Sequence, residues 1–102
     1  MLSDKIYTLE EIKNIIQDNK KYLEEKYYVD NFLLFGSYAK NKQTSTSDID
    51  LLVNLKQPID FFEFLDLQEY ISVLFNKKID LGTPNSLKKF VKDKILKEAI
   101  LI

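Results

Sequence analysis

The chain has 102 residues, 45% of them hydrophobic and 30% charged, and a net charge of −1 at pH 7. That balance suits one globular domain over residues 1–102, argues against disorder, and supplies no overall basic field for nucleic acid, so no direct DNA binding is expected unless a local basic patch exists. With no cysteine and no histidine, zinc fingers, thiol nucleophiles, Ser-His-Asp triads and histidine bases are excluded, and any chemistry falls to carboxylates, lysines, hydroxyls, backbone amides and a hard metal ion.

The lack of disulfides fits a reducing cytoplasm. No apolar run approaches the roughly 20 residues of a membrane span, and Met1–Asp4 opens no signal peptide, so a soluble cytoplasmic protein without a membrane partner is expected.

Thr8 with Glu11 forms a capping box. Leu9, Ile12, Ile16 and Leu23 then recur at helical spacing, which predicts one long first helix. Val29 to Phe35 reads as a strand. Its "FLLF" core is apolar on both alternating faces, so cover on both sides is expected. Gly36 ends that strand, and Ser37 to Ser47 is polar and turn-prone. Asp48 to Leu55 reads as a second strand, with Ile49, Leu51, Val53 and Leu55 on one face and Asp48 and Asp50 on the other.

Asp60 with Glu63 caps a second helix carrying Phe64, Leu67, Ile71 and Leu74. The aromatic run from Phe61 to Tyr70 is assigned to core packing by its helical spacing. A short strand, Lys77 to Leu81, carries Asp80 between Ile79 and Leu81. Thr83-Pro84 then opens a last helix with the stripe Leu87, Val91, Ile95 and Ala99, proline taking the first helical position. The apolar ending Ile100, Leu101 and Ile102 is expected to fold back onto the sheet. The order αβαβαβα gives an α+β fold: one small mixed sheet packed by helices.

The chemistry concentrates between Gly36 and Asp80. Residues two apart on a strand share a side with Cα atoms roughly 6.5–7 Å apart. Asp48 and Asp50 can therefore converge on a shared cation. Mg²⁺ is held by one or two carboxylates plus substrate phosphates, and two ions can clamp the attacking and leaving oxygens of an in-line displacement. Asp80 is placed to be a third carboxylate. At the other end, Gly36 allows close approach of backbone to a ligand, and Ser37 adds a hydroxyl and free amides that suit phosphate. If these two strands lie side by side, both halves face one cleft. An EF-hand starting at Asp48 fails, because Leu52 and Val53 stand where an oxygen ligand and a glycine are needed. A Walker loop fails too, since Gly36 and Gly82 are the only glycines.

Gly36-Ser37, a polar spacer and then Ser47-Asp48-Ile49-Asp50-Leu51 resemble the signature of the DNA polymerase β-like nucleotidyltransferases. The short length and element order resemble the minimal nucleotidyltransferases (MNT) in particular, which commonly serve as antitoxins beside HEPN-domain toxins. The resemblance implies the polymerase β palm-like fold. It implies that Gly36 and Ser37, with Lys40 and Ser47 nearby, bind the nucleotide phosphates. Asp48 and Asp50 would hold two Mg²⁺ ions, and Asp80 would act as base or third metal ligand. It further implies transfer of a nucleoside monophosphate, most simply AMP from ATP, to a hydroxyl of a partner HEPN toxin in a hetero-oligomer. Relatives often read Gly-Ser-x-Ala-Arg-Gly, whereas this chain has Lys40 and Asn41 in the last two places. Lysine keeps the charge but loses the bidentate fork, and asparagine can adopt the left-handed backbone that glycine supplies. Two other readings stay open: an antitoxin that neutralises its partner by binding alone, and a transferase acting on a small molecule such as an aminoglycoside.

Overall fold

The structure, a computed structural model, describes residues 4–102. Met1–Ser3, on which the expectation of no signal peptide partly rests, lie outside the described residues. The elements in chain order are α1 (Leu9–Asp18), α2 (Lys20–Tyr27), β1 (Val29–Phe35), α3 (Gly36–Ala39), β2 (Ile49–Leu55), α4 (Phe61–Phe75), β3 (Ile79–Gly82), a 3-10 turn (Pro84–Ser86), α5 (Lys89–Glu98) and β4 (Ile100–Leu101). Both expected capping boxes form, Thr8 with Glu11 and Asp60 with Glu63. No helix among the described residues is long and apolar enough to cross a membrane.

The four strands make one mixed sheet in the order β3-β2-β1-β4. β1 runs antiparallel to β2 and β4, and β2 runs parallel to β3. The parallel pair needs a crossover, and α4 supplies it. One face carries the core: Phe32 and Leu34 from β1, Ile49, Leu51 and Val53 from β2, and Ile79 and Leu81 from β3. Ile12, Ile16, Leu23, Leu67, Ile71 and Phe75 pack against them from the helices. Two hydrogen bonds tie α4 to the N-terminal part of the chain. Tyr7 donates to the Phe75 carbonyl at 2.7 Å, and Tyr27 donates to Asp66 at 2.6 Å. Burial, then that carboxylate, pushes the Tyr27 hydroxyl up to about 12.

Four expectations need correction. The first helix is two, because it breaks at Asn19, whose amide donates to the Ile15 carbonyl at 2.8 Å and whose oxygen accepts from Tyr70 at 3.1 Å. A short amide that satisfies a carbonyl four residues back competes with the helical ladder. The last helix starts at Lys89, not at Pro84. The Thr83 carbonyl accepts from both the Ser86 amide (3.0 Å) and its hydroxyl (2.7 Å), closing a tight turn that leaves Leu87 extended. Finally, Phe61 and Phe62 of the aromatic run are 68% and 80% exposed, while Leu67, Ile71 and Phe75 line the core. The "FLLF" strand is fully covered on one face only, with Leu33 and Phe35 half-buried on the other.

The chain ending does fold back. Ile100 and Leu101 pair with Leu34 and Leu33, and Ile102 is buried, its amide bonded to the Phe32 carbonyl at 3.0 Å. Leu34 and Leu101 sit on neighbouring strands with opposite burial, 0% and 60% exposed. Leu34→Ala is expected to cost about 3 kcal/mol of unfolding free energy, and Leu101→Ala under about 0.5. Urea unfolding of the two variants checks this, and equal losses would contradict the assigned faces.

Candidate active site

β1 delivers Phe35 opposite Asp50 of β2, so the strand ending in Gly36 and the strand opening with the acids are direct neighbours. Gly36 has φ +73°, a backbone conformation that favours glycine. A Cβ placed there would run into Asp50 Oδ2 and stand 3.1 Å from Asp50 Cγ. Glycine is therefore required twice over, for the turn into α3 and for room for the carboxylate. Tyr38 of that turn is buried, Asn41 ends it at φ +56°, and the Lys42 amide bonds back to the Ser37 carbonyl at 2.9 Å.

The parallel β2–β3 register sets Asp50 beside Asp80. Burial pushes the Asp50 carboxyl up to about 6, and the Asp80 and Asp48 charges push the same way, as does the hydrogen bond that the protonated Asp50 carboxyl donates to Asp80. The three acids predicted from sequence thus act on one another electrostatically. Asp48 lies just before β2 and meets Lys78 Nζ at 3.8 Å, an exposed contact of small energetic weight.

The other predicted residues are arranged differently. Lys40 is exposed and pairs with Glu98 of α5 at 3.2 Å. Ser47 holds its own turn: its hydroxyl accepts the Thr44 amide at 2.9 Å, and its amide donates to the Thr44 carbonyl at 3.1 Å. A cleft of about 720 Å³ lies elsewhere, where Val53–Phe61 and Leu81–Ser86 come together beyond the C-terminal ends of β2 and β3. Two residues near the acids escaped sequence reasoning, Lys77 and Lys78. Their only sequence signal is a charged pair directly before the β3 strand.

The acids form an all-oxygen, hard donor set. Their mutual effect on Asp50 is what a divalent cation would relieve, so the residues fit such an ion. Among the described residues no three acidic side chains lie so that they could hold a metal ion by themselves. An ion here would need substrate phosphate to complete its coordination.

Residues 10–102 match the family model described as Polymerase beta, Nucleotidyltransferase. The chain belongs to this nucleotidyltransferase family. A Methanocaldococcus jannaschii protein, provisionally named a protein adenylyltransferase, is 46% identical over 96 residues, covering 93% of this chain and 98% of the relative. A solved structure described provisionally as a minimal nucleotidyltransferase superposes with a TM-score of 0.77 at 21% identity, over 92% of this chain and 95% of that one. A Shewanella oneidensis complex, described as a tri-AMPylated HEPN toxin with its MNT antitoxin, gives a TM-score of 0.62 at 18% identity, over 87% and 69% of the two chains. At such identities the two solved structures bear on the fold, which is the polymerase β-like α+β fold expected from the sequence. The enzyme class follows from the family match, and the chain is a nucleotidyltransferase.

Asp50 generates a prediction whose sign is fixed by its environment. Its folded pKa, about 6, lies above the ordinary 3.8, so ionisation costs the native state stability as pH rises between those values. With divalent cations chelated, Asp50→Asn is expected to raise stability by about 2 kcal/mol at pH 7–8, discounted for the group's partial exposure, with the gain vanishing near pH 4. Thermal melts across that range check it.

Proposed function

We propose that this nucleotidyltransferase is Mg²⁺-dependent and transfers AMP from ATP to a hydroxyl of a partner protein, acting in the cytoplasm as the antitoxin of a HEPN/MNT pair. The observation that carries the reading is the register of Asp50 beside Asp80, with Gly36 clearing the space against Asp50. The protein acceptor is supported by the name of the M. jannaschii relative. The HEPN partner is supported by the fold shared with the S. oneidensis antitoxin.

In this reading the Gly36-Ser37 turn binds the β- and γ-phosphates through backbone amides and the Ser37 hydroxyl. Lys40 joins them by leaving Glu98, an exposed ion pair worth at most about 1 kcal/mol. Asp48 and Asp50 would hold Mg²⁺, with Asp80 as third ligand or as base. Bound Mg²⁺ would supply charge neutralisation at the phosphates and make the acceptor hydroxyl easier to deprotonate. The acceptor oxygen forms a bond to the α-phosphorus, the bond from that phosphorus to the β-phosphate oxygen breaks, and pyrophosphate leaves. The acceptor proton passes to a carboxylate, with Asp80 the more exposed candidate. Ser47 serves by holding the approach to Asp48.

The test is label transfer from ATP carrying ³²P at the α- or the γ-phosphate, with Mg²⁺ and the HEPN protein encoded nearest the gene. Label from the α position alone, lost in Asp50→Asn, is the expected result. Transfer from the γ position would make the enzyme a kinase, and silencing without transfer would favour neutralisation by binding alone. Gly36→Ala is expected to lower transfer by at least about 100-fold, because its methyl would displace the Asp50 carboxylate. Single-turnover rates measure that loss.

A further inference from the structure

Lys77 is the one charged side chain that is buried among the described residues, at 3% exposure. Removing an ammonium from water is expensive, and a well-packed apolar side chain in its place is often neutral or stabilising. Its placement accounts for the cost. The backbone of Lys77 is fixed twice to α4, since its amide donates to the Ser72 carbonyl at 3.3 Å and its carbonyl accepts the Ser72 hydroxyl at 2.7 Å. From that anchor its Nζ reaches across the sheet edge to donate to the Ser45 carbonyl at 3.1 Å, 32 residues earlier in the chain.

Ser45 sits inside the Thr44–Ser47 turn, whose ends are closed by the two Thr44–Ser47 hydrogen bonds. The next residue is Asp48. Directly after it, the Ile49 amide donates to the Lys78 carbonyl at 3.1 Å, opening the parallel β2–β3 pairing. Asp48 thus lies between two bonded points, Ser45 and Ile49, whose partners are the consecutive residues Lys77 and Lys78 just before β3. An apolar side chain at 77 could fill the volume, but it could not hold the turn.

We infer that Lys77 is a positioning residue for the acidic site: its buried ammonium pins the turn before Asp48 and so fixes that carboxylate beside Asp50 and Asp80. The inference rests on the proposed nucleotidyl-transfer reading of those acids.

Lys77→Met separates positioning from mere support of the fold. Expected are a melting temperature equal to or above the wild type, amide exchange at Thr44, Ser47 and Ile49 accelerated by about tenfold or more, and β1 amides unchanged. Transfer kcat is expected to fall, and the Mg²⁺ concentration for half-activity to rise, by roughly 10-fold or more, with KM for ATP within about twofold. Lys77→Arg should recover most of both. Ser47→Ala, which loosens the same turn without touching the buried site, should show the same exchange and Mg²⁺ shifts in weaker form, and decides the matter if Lys77→Met does not fold. A lowered melting temperature with unchanged loop exchange and unchanged activity per folded molecule would reduce Lys77 to a structural residue. If the wild type transfers nothing, the functional reading fails by itself. The exchange measurement still decides whether Lys77 pins the turn.

Discussion

The central constraint is electrostatic: one partly desolvated carboxylate, Asp50, must sit within the fields of the Asp80 and Asp48 charges. Loss of hydration opposes that arrangement in proportion to burial, and a flexible chain would escape it by moving the acids apart. Here they are strand residues or strand neighbours. Separating Asp50 from Asp80 would break the parallel register of β2 and β3. It would also disturb Ile49, Leu51, Ile79 and Leu81, which alternate with the acids and lie in the core. Core burial thus holds in place a repulsion that a cation would relieve.

Around that constraint the neighbouring parts have clear physical purposes. Gly36 is the one residue type that both takes the positive φ of the turn and leaves space for the Asp50 carboxylate. Leu52, on the same face as the acids, is buried, and its side chain lies against Gly82 at the end of β3. Hydroxyls and amides serve turns rather than surfaces. Ser47 closes the turn before Asp48, Ser72 fixes Lys77, and Asn19 splits the first helix so that α2 can pack at its own angle.

Charge is unevenly distributed, although the chain is nearly neutral. From Lys77 onward there are seven lysines against three acids, and five of those lysines lie at or within α5. That helix has no fully buried residue and leaves Phe90 75% exposed, and its Glu98 meets Lys40 beside the glycine turn. Lightly packed elements are the ones that move at small cost. In the proposed reading the Lys40–Glu98 contact is the point of exchange when phosphate arrives, whereas the glycine turn and the β2–β3 register are not.

Much of this was legible in the sequence. An apolar run bounded by Gly36 gave β1, and hydrophobic alternation gave β2 nearly to the residue, because a strand with one buried face records its burial every second position. The capping boxes at Thr8 and Asp60 are local chemistry and were visible for the same reason. The spacing of Gly36-Ser37 from Asp48 and Asp50 is likewise local, and it identified the family. What the sequence could not hold was decided by contacts between distant residues. The break at Asn19 depends on Tyr70, 51 residues away, as well as on Ile15. The exposure of Phe61 and Phe62 depends on where α4 crosses the sheet, which helical spacing does not specify. The pairing of Asp50 with Asp80, and the reach of Lys77 to Ser45, exist only once β2 and β3 lie parallel. The composition by itself determined which chemistry was possible; only the tertiary structure decided which acids meet, because register is a property of two strands and not of either one.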